Sequence, residues 1–322
     1  MIPQHQPSLS RRGFCLCCMA TAFAGGRGWL TPRQAFAEAR NVVDGFRADA
    51  AKAEIRVHRI RGDVSVLEGS GGNIAVLTGA DGKVMIDAGI TATRPRISEA
   101  LAGLDARPVT HLINTHWHFD HADGNEWIGG KGVAIIAHAN TRKHLTEAQR
   151  VEDWDFNFPP APPAAIPTKT MERETSLKLN GMTLHLAHQP LAHTDGDISV
   201  TFGEADIIHT GDLYWAGMYP FIDYSTGGNI DGMIRAVDAI LAQAGKDTVI
   251  IPGHGAPVSD PSDLRAYRDM LSASRDGVAR LKRKGHSLDE IVAARPTADF
   301  DSRYGQFVIA PAFFTKLVYA GV

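Results

Sequence analysis

The part of the chain that most restricts its fold is the eleven-residue segment 115–125, which reads THWHFDHADGN. Within it, side chains that can bind a metal ion occupy four of six consecutive positions: His116, His118, Asp120 and His121. Imidazole and carboxylate are the ligands that zinc accepts where thiolate is absent. Burying so many polar groups costs free energy unless a partner satisfies them, so packing alone gives little reason for this run. The segment therefore predicts a metal site.

The first 37 residues have the features of an export signal. Residues 10–14, SRRGF, open a twin-arginine pattern, an apolar run of small residues follows over 15–26, and residues 35–37, AFA, have the small-x-small form of a cleavage site. The apolar run is too short to span a bilayer. We therefore expect residues 1–37 to be a cleaved twin-arginine signal peptide, and the protein to be periplasmic with no stable membrane insertion after cleavage. A frayed N-terminal arm with a chance arginine pair is the alternative.

Removing this segment changes the charge and the cysteine content of the chain. The full chain has 33 basic and 36 acidic residues, a net charge of −3, and residues 1–37 contain four arginines and no acid, so the remainder carries −7. A mildly acidic surface argues against nucleic acid as a partner. All three cysteines also lie before residue 19, which leaves residues 38–322 without disulfide or thiolate ligand.

The hydrophobic pattern predicts short strands and helices in alternation. Hydrophobic residues make up 44% of the chain and charged residues 21%, as in soluble domains. Strands are predicted within 55–89 and at 109–114, 133–137, 198–202, 206–209 and 248–251, with a hairpin around residues 180–181. Helices are predicted at 92–104, at 140–150 with Asn140 as cap, at 230–244 and at 260–284. Strands followed by helices recur in both halves, which predicts an α/β fold, a four-layer αββα sandwich.

Three further polar residues stand in loops directly after apolar runs. They are His193 in AHTDG, Asp212 in TGD and His254 in PGHG. Loops on a rigid scaffold are where function concentrates. In a sandwich of this kind such strand ends meet along one edge, so we expect these side chains to join the first segment.

With these residues in place, the chain resembles the metallo-β-lactamase superfamily over about residues 64–254, because the HxHxDH motif and the later His, Asp and His appear in the family order. The resemblance implies two metal ions, taken as Zn²⁺ with iron or manganese as other options. The implied ligands are His116, His118 and His193 for one ion and Asp120, His121 and His254 for the other, with Asp212 bridging both. It also implies that Asp87, at a strand end, supports the ligand loop from behind.

The resemblance further implies that residues 38–322 form one hydrolase domain. A hydroxide bridging two zinc ions would attack a small-molecule substrate, and Asp120 would be the catalytic residue that orients it. The expected substrate is a small organic ester, lactone, thioester or amide, a set that includes β-lactams. The chain departs from lactamases that use a Cys ligand, whereas Asp212 is similar to the bridging residue of thioesterase and lactonase members.

Other roles are left open at this stage. The alternatives to the hydrolase are an iron-dependent redox member of the superfamily and a non-catalytic periplasmic protein that binds metal or a partner. Aromatic residues near the motifs are candidate substrate contacts: Trp117, Phe119, Tyr214, Trp215 and Tyr219. Two aromatic segments, the proline-rich residues 154–167 and residues 213–221, are candidate coverings of the mouth of the site, and the glycine-rich segment 69–73 is a candidate flap near the metals. Eight histidines outside the motifs are expected to be structural, and the oligomeric state stays undetermined.

Overall fold

The structure, a computed structural model, describes residues 42–322. The predicted signal peptide, residues 1–37, lies outside this range. Among the described residues, no helix is both long and apolar enough to cross a membrane.

The first sheet has seven strands, in the order β1-β2-β3-β4-β5-β6-β9. Neighbouring strands pair antiparallel from β1 to β4 and parallel from β4 to β9. Their bounds are β1 Arg56–Arg59, β2 Val64–Glu68, β3 Ile74–Leu77, β4 Lys83–Ile86, β5 Val109–Ile113, β6 Ala134–His138 and β9 Lys169–Met171. Strands β2, β3 and β4 are buried throughout, because helices cover one face of the sheet and a second sheet covers the other.

The second sheet has five strands in sequence order, from β10 to β14. Their bounds are β10 Glu174–Leu179, β11 Met182–His188, β12 Ile198–Phe202, β13 Ile207–His209 and β14 Val249–Ile251. Asn180 and Gly181 both have positive φ, at 54° and 74°, and close the predicted hairpin by pairing Leu179 with Met182. This is the backbone that an Asn-Gly hairpin turn requires. Outside both sheets, β7 Gln149–Val151 and β8 Phe156–Phe158 form a two-stranded ribbon.

Helices cover the outer faces of the two sheets. Their bounds are α1 Val42–Ala50, α2 Arg94–Leu104, α3 Phe119–Ala122, α4 Asn125–Gly129, α5 Ala139–Thr146, α6 Ile230–Gln243, α7 Pro261–Arg283, α8 Leu288–Ala294, α9 Ala298–Tyr304 and α10 Pro311–Gly321. Short 3-10 turns occupy Thr91–Thr93, Glu152–Trp154, Pro163–Ala165, Gly211–Leu213 and Tyr224–Thr226. Helix α7 begins as predicted, with the Asp260 side chain accepting from the backbone N–H groups of Ser262 and Asp263.

Three apolar clusters show how the layers pack. One contains Val66 and Ile86 of the first sheet with Leu184 and Val200 of the second, so the two sheets lie face to face. Another cluster lies between the opposite face of the first sheet and helices α2 and α4. The third lies between the second sheet and helices α6 and α7. The predicted αββα sandwich is confirmed.

The structure corrects the sequence prediction at helix α5. Asn140 is not the cap, because the helix starts at Ala139 and the ring of His138 accepts the hydrogen bond from the Asn140 N–H. The helix also ends at Thr146 rather than at residue 150, since residues 149–151 pair with β8. Helices α8, α9 and α10 had no counterpart among the predicted elements.

Candidate metal centre

The seven predicted ligand residues lie at strand ends and come together in the structure. Residues 116–121 follow β5, His193 follows β11, Asp212 follows β13 and His254 follows β14. All seven are buried, with at most 7% of any residue exposed. They divide into two groups that could each hold a metal ion.

The first group contains His116, His118, His193 and Asp212, with one ligand atom of each lying within 4.8 Å of the others. Nδ1 of His118 is 2.8 Å from Nε2 of His193 and 3.2 Å from Nε2 of His116. Imidazole nitrogens that point at one another share too few protons to satisfy all of them, but they suit a cation placed between them.

The second group contains Asp120, His121 and His254. Nε2 of His254 lies 3.1 Å from Oδ2 of Asp120 and 3.3 Å from Nε2 of His121. Burial alone would lower the pKa of His254, but the carboxylates of Asp212 and Asp120 outweigh it and raise that pKa to about 9. The negative field that produces this shift also favours a metal cation at the same place.

Asp212 lies between the two groups. Its Oδ2 is 3.4 Å from Nε2 of His193 and 3.3 Å from Nε2 of His254, while its Oδ1 is 3.0 Å from Nε2 of His121. Burial raises the pKa of Asp212, yet the imidazoles of His254 and His121 outweigh burial and hold it well below the usual range. Although Oδ1 lies this close to His121, it is buried without a hydrogen bond of suitable geometry within the described chain. A charged carboxylate in this position fits a pair of divalent ions.

The ring nitrogens that face away from the cluster are also held. Nδ1 of His116 lies 3.0 Å from Oγ1 of Thr115, and Nε2 of His118 lies 3.0 Å from Oδ2 of Asp223. Nδ1 of His121 lies 2.8 Å from Oδ2 of Asp87, and Nδ1 of His193 lies 2.9 Å from the carbonyl oxygen of Phe221. Such contacts orient each ring and keep its other nitrogen free of hydrogen for a metal. The donor set of five imidazoles and two carboxylates, with no thiolate, suits zinc and also iron or manganese.

Asp87 lies directly behind the ligand loop. Its carboxylate accepts from the Thr115 N–H at 2.7 Å and from the Thr115 hydroxyl at 2.8 Å, besides contacting His121. Asp87 is fully buried and has a φ of 65°, a left-handed conformation that Asp tolerates better than most residues. This backbone turn aims the carboxylate at the start of the loop.

Asp223 is the site residue that the sequence analysis missed. It follows the predicted covering segment 213–221 by two residues and caps the short turn at Tyr224–Thr226. Burial alone would raise the pKa of Asp223, but hydrogen bonds from His118, Ser225 and Thr226 lower it to about 2. The pattern Asp-x-Ser-Thr after an aromatic run signals a capped turn, yet no spacing rule connects it to residue 118.

The glycine-rich segment 69–73 approaches the second group closely. A Cβ on Gly72 would lie 2.2 Å from Cε1 of His121, and one on Gly71 would lie 2.7 Å from Cβ of Asp120. Glycine is therefore required at both positions, because any side chain would collide with Asp120 or His121. The segment covers the Asp120 and His121 side of the cluster; the sequence had predicted only that it lies near the metals.

A small cavity of about 20 Å³ borders both metal groups. His118, Asp120, His193 and Asp212 form its polar side. Of the five candidate substrate contacts, Phe119 and Trp215 line it, and the Trp215 ring contacts the His254 ring with centroids 4.3 Å apart and planes tilted by 43°. Trp154 and Phe221, from the two predicted covering segments, also line it.

The structure does not bring the other three candidates to this cavity. Trp117 lines a separate cavity of about 250 Å³ on the far side of Phe119, and its indole N–H donates to Thr226. Tyr214 is hydrogen-bonded to Ser259, and Tyr219 is fully buried with its hydroxyl on Asp301. The rings of both tyrosines pack in the apolar cluster that includes α6 and α7.

Comparison with known proteins agrees with this fold. A sequence model of the Metallo-beta-lactamase superfamily matches residues 67–280, about two thirds of the chain. A metallo-beta-lactamase from Pontibacter korlensis superposes with a TM-score of 0.55 at 19% identity, covering 68% of this chain and 99% of that one. The sec-alkylsulfatase Pisa1 from Pseudomonas sp. superposes with a TM-score of 0.64 at 18% identity, covering 87% of this chain and 52% of that one. Identities this low show the fold alone.

Two curated proteins are similar in sequence. A hydroxyacylglutathione hydrolase of Rhodospirillum rubrum is 28% identical over 148 residues, which are 45% of this chain and 48% of that protein. Metallo-beta-lactamase IND-1 of Chryseobacterium indologenes is 22% identical over 147 residues, 46% of this chain and 56% of that protein. The chain thus spans about half the length of the curated relatives it matches. The family match, the sandwich and the clustered His and Asp groups show together that the chain belongs to the metallo-beta-lactamase superfamily.

Proposed function

We propose that the protein is a dinuclear, zinc-dependent hydrolase of a small organic ester, lactone, thioester or amide. The observation that carries this proposal is the position of Asp212 between the two His and Asp groups, with its oxygens 3.0–3.4 Å from nitrogens of His121, His193 and His254. One ion would be held by His116, His118 and His193 and the other by Asp120, His121 and His254, with Asp212 shared. When bound, two such ions supply an acidified water as nucleophile and positive charge for the developing oxyanion.

The chain's own residues would orient and shield this chemistry. Asp120 has one oxygen 3.1 Å from His254 and borders the cavity, so its carboxylate can accept a proton from the attacking water. Asp87 and Asp223 hold the rings of His121 and His118. The apolar side of the cavity, with Phe119 and Trp215, excludes bulk water and strengthens the electrostatic interactions inside.

Among known relatives, the similarity to a hydroxyacylglutathione hydrolase supports ester-like chemistry, because that protein's name describes a thioester hydrolase. The similarity to metallo-beta-lactamase IND-1 keeps β-lactams within the proposed set. Both matches cover about half of the relative, so the substrate is proposed at the level of its reacting bond only.

The test is a substrate panel on full-length protein of measured metal content, comprising lactams, lactones, thioesters and phosphodiesters. We expect turnover of at least one ester-like class with two zinc ions per chain. Asp120→Asn should lower kcat by roughly 10²–10⁴-fold, whereas Asp263→Asn, in an exposed ion pair with Arg303, should not. No turnover from the two-metal protein would overturn the proposal, and so would iron with oxygen-dependent turnover.

We also propose export by the twin-arginine route, on the sequence of residues 10–37. In a Gram-negative host, the full chain should reach the periplasm, and Arg11→Lys with Arg12→Lys should hold it in the cytoplasm. Equal periplasmic fractions for both forms would contradict this proposal.

A further inference from the structure

The cavity beside the metal groups has an apolar side with a distinct composition. Seven of its lining residues are apolar: Phe46, Phe119, Trp154, Trp215, Phe221, Val308 and Ile309. Within the described part of the chain, no Lys or Arg lines it. A charged group on a substrate would therefore lose its hydration without gaining a counter-charge from this wall.

Three of these seven residues come from outside the segment that matches the superfamily, residues 67–280. Phe46 lies on α1, and Val308 and Ile309 lie between α9 and α10. The cavity wall is thus completed by parts of the chain that the superfamily pattern does not include.

Helix α1 contacts α3, the short helix that carries Asp120. Arg47 forms an ion pair with Asp123 at 3.2 Å, and its guanidinium lies 5.4 Å from the ring centre of Phe119. The ring of Phe46 meets that of Phe119 edge-on, with centroids 6.2 Å apart. These contacts hold Phe46 beside Phe119 in the cavity wall.

The segment 305–310 forms the outer part of the wall. Ile309 is 4% exposed, whereas Val308 is 40% exposed and still lines the cavity. Val308 therefore stands at the mouth, in contact with both solvent and the cavity. The cavity has room for about one water molecule, so a larger substrate group can enter only if part of the wall moves outward.

Resting on the proposed function, we propose that the substrate carries an uncharged alkyl or aryl group next to the reacting bond, and that Phe46, Val308 and Ile309 select it. Such a group replaces water against this wall and buries its apolar surface there. A carboxylate or phosphate at the same distance from the reacting bond would be buried against apolar side chains.

The experiment compares two esters on full-length, two-metal protein. The substrates are p-nitrophenyl pentanoate and p-nitrophenyl hydrogen succinate, whose acyl chains are similar in length but differ in charge. After correction for their reactivity with hydroxide, we expect kcat/KM to favour the pentanoate by about tenfold or more. Most of the difference should lie in KM, because the selecting contacts are made to the acyl chain and not to the reacting bond itself.

The variant Val308→Lys places a positive charge at the mouth and should shift the ratio of kcat/KM toward the succinate by about fivefold. Val258→Lys is the matched control, since Val258 is equally exposed at 40% and does not line the cavity. Metal content should be the same in both variants.

The outcomes separate this inference from the function on which it rests. If the two-metal protein hydrolyses the succinate as well as the pentanoate, or if Val308→Lys behaves like Val258→Lys, the inference fails and the hydrolase proposal stands. If the protein hydrolyses neither these esters nor any other ester-like substrate, the proposed function fails and the inference falls with it.

Discussion

Oδ2 of Asp223 lies 3.0 Å from Nε2 of His118, so His118 presents Nδ1, not Nε2, to the other imidazoles of its group. In His121 and His193 the arrangement is reversed, because their Nδ1 atoms are held by Asp87 and by the Phe221 carbonyl. One carboxylate, 105 residues away in the sequence, thus selects which nitrogen of His118 can bind a metal.

Replacing Asp223 should weaken metal binding at the first group. In Asp223→Asn an amide can donate toward Nε2 of His118, which would move the ring proton to Nδ1 and block it as a ligand. We expect affinity for one zinc ion to fall about 10–100-fold, measured by competition with a chelating dye. The control is Asp231→Asn on α6, whose carboxylate pairs with Arg275 on α7. Unchanged affinity in Asp223→Asn would show that the contact does not orient the ring.

Adding a methyl group at Gly72 should disturb the second group. A Cβ there would lie 2.2 Å from Cε1 of His121, so the ring must leave its position in the second group. We expect Gly72→Ala to bind one zinc ion in place of two by elemental analysis. Gly103→Ala, on α2 with nothing within 4 Å of the new Cβ, is the matched control and should keep both. Two ions in Gly72→Ala would contradict the close approach.

Removing metal should destabilise the folded chain. Without a cation, Asp120 and Asp212 lie buried beside imidazoles that cannot all be satisfied by protons. Zinc at a hundredfold excess over its Kd should add about 2.7 kcal/mol to the free energy of unfolding, seen as a lower Tm after chelation and recovery on adding zinc. In Asp212→Asn the zinc-dependent part of the shift should shrink. If the Tm is the same before and after chelation, the native state does not bind metal.

Stability should also fall in acid through His138, remote from the metal groups. Its Nδ1 accepts from the Asn140 N–H at 3.1 Å, its Nε2 donates to the Glu172 carbonyl at 3.1 Å, and its ring stacks on His188 with centroids 3.7 Å apart. Burial, and then the neighbouring His188, lower the pKa of His138 below the usual 6.5. The unfolded chain therefore binds more protons just below pH 6.5, so this contribution is present above that pH and is lost as the pH falls.

The variant His138→Asn tests this contribution, because Asn can cap α5 without titrating. Between pH 7.5 and 5.5, the urea midpoint of the variant should fall less than that of the unchanged protein. His286→Asn, at an exposed histidine, serves as the control. If the urea midpoint falls equally in the unchanged protein and in His138→Asn, the His138 ring does not contribute to the loss of stability in acid.

Much of the fold was predictable from local patterns. Apolar strands, the Asn180-Gly181 turn and the start of the long helix near residue 260 each depend on a few neighbouring residues, and the structure has them where the sequence predicts. Helix α5 was misplaced because its capping group is a histidine ring, which common capping rules do not include.

The sequence alone was enough to predict the seven candidate metal ligands. The spacing of His116, His118, Asp120 and His121, together with His193, Asp212 and His254 after strands, sufficed because chain order and strand ends are local properties. Only the tertiary structure decided which ring nitrogen faces the cluster, that Asp223 holds His118, and that Phe46 and Val308 complete the cavity. Several of these contacts join residues that lie far apart in the sequence, such as His118 and Asp223, which are 105 positions apart. Their pairing depends on how the layers pack, which no local pattern encodes.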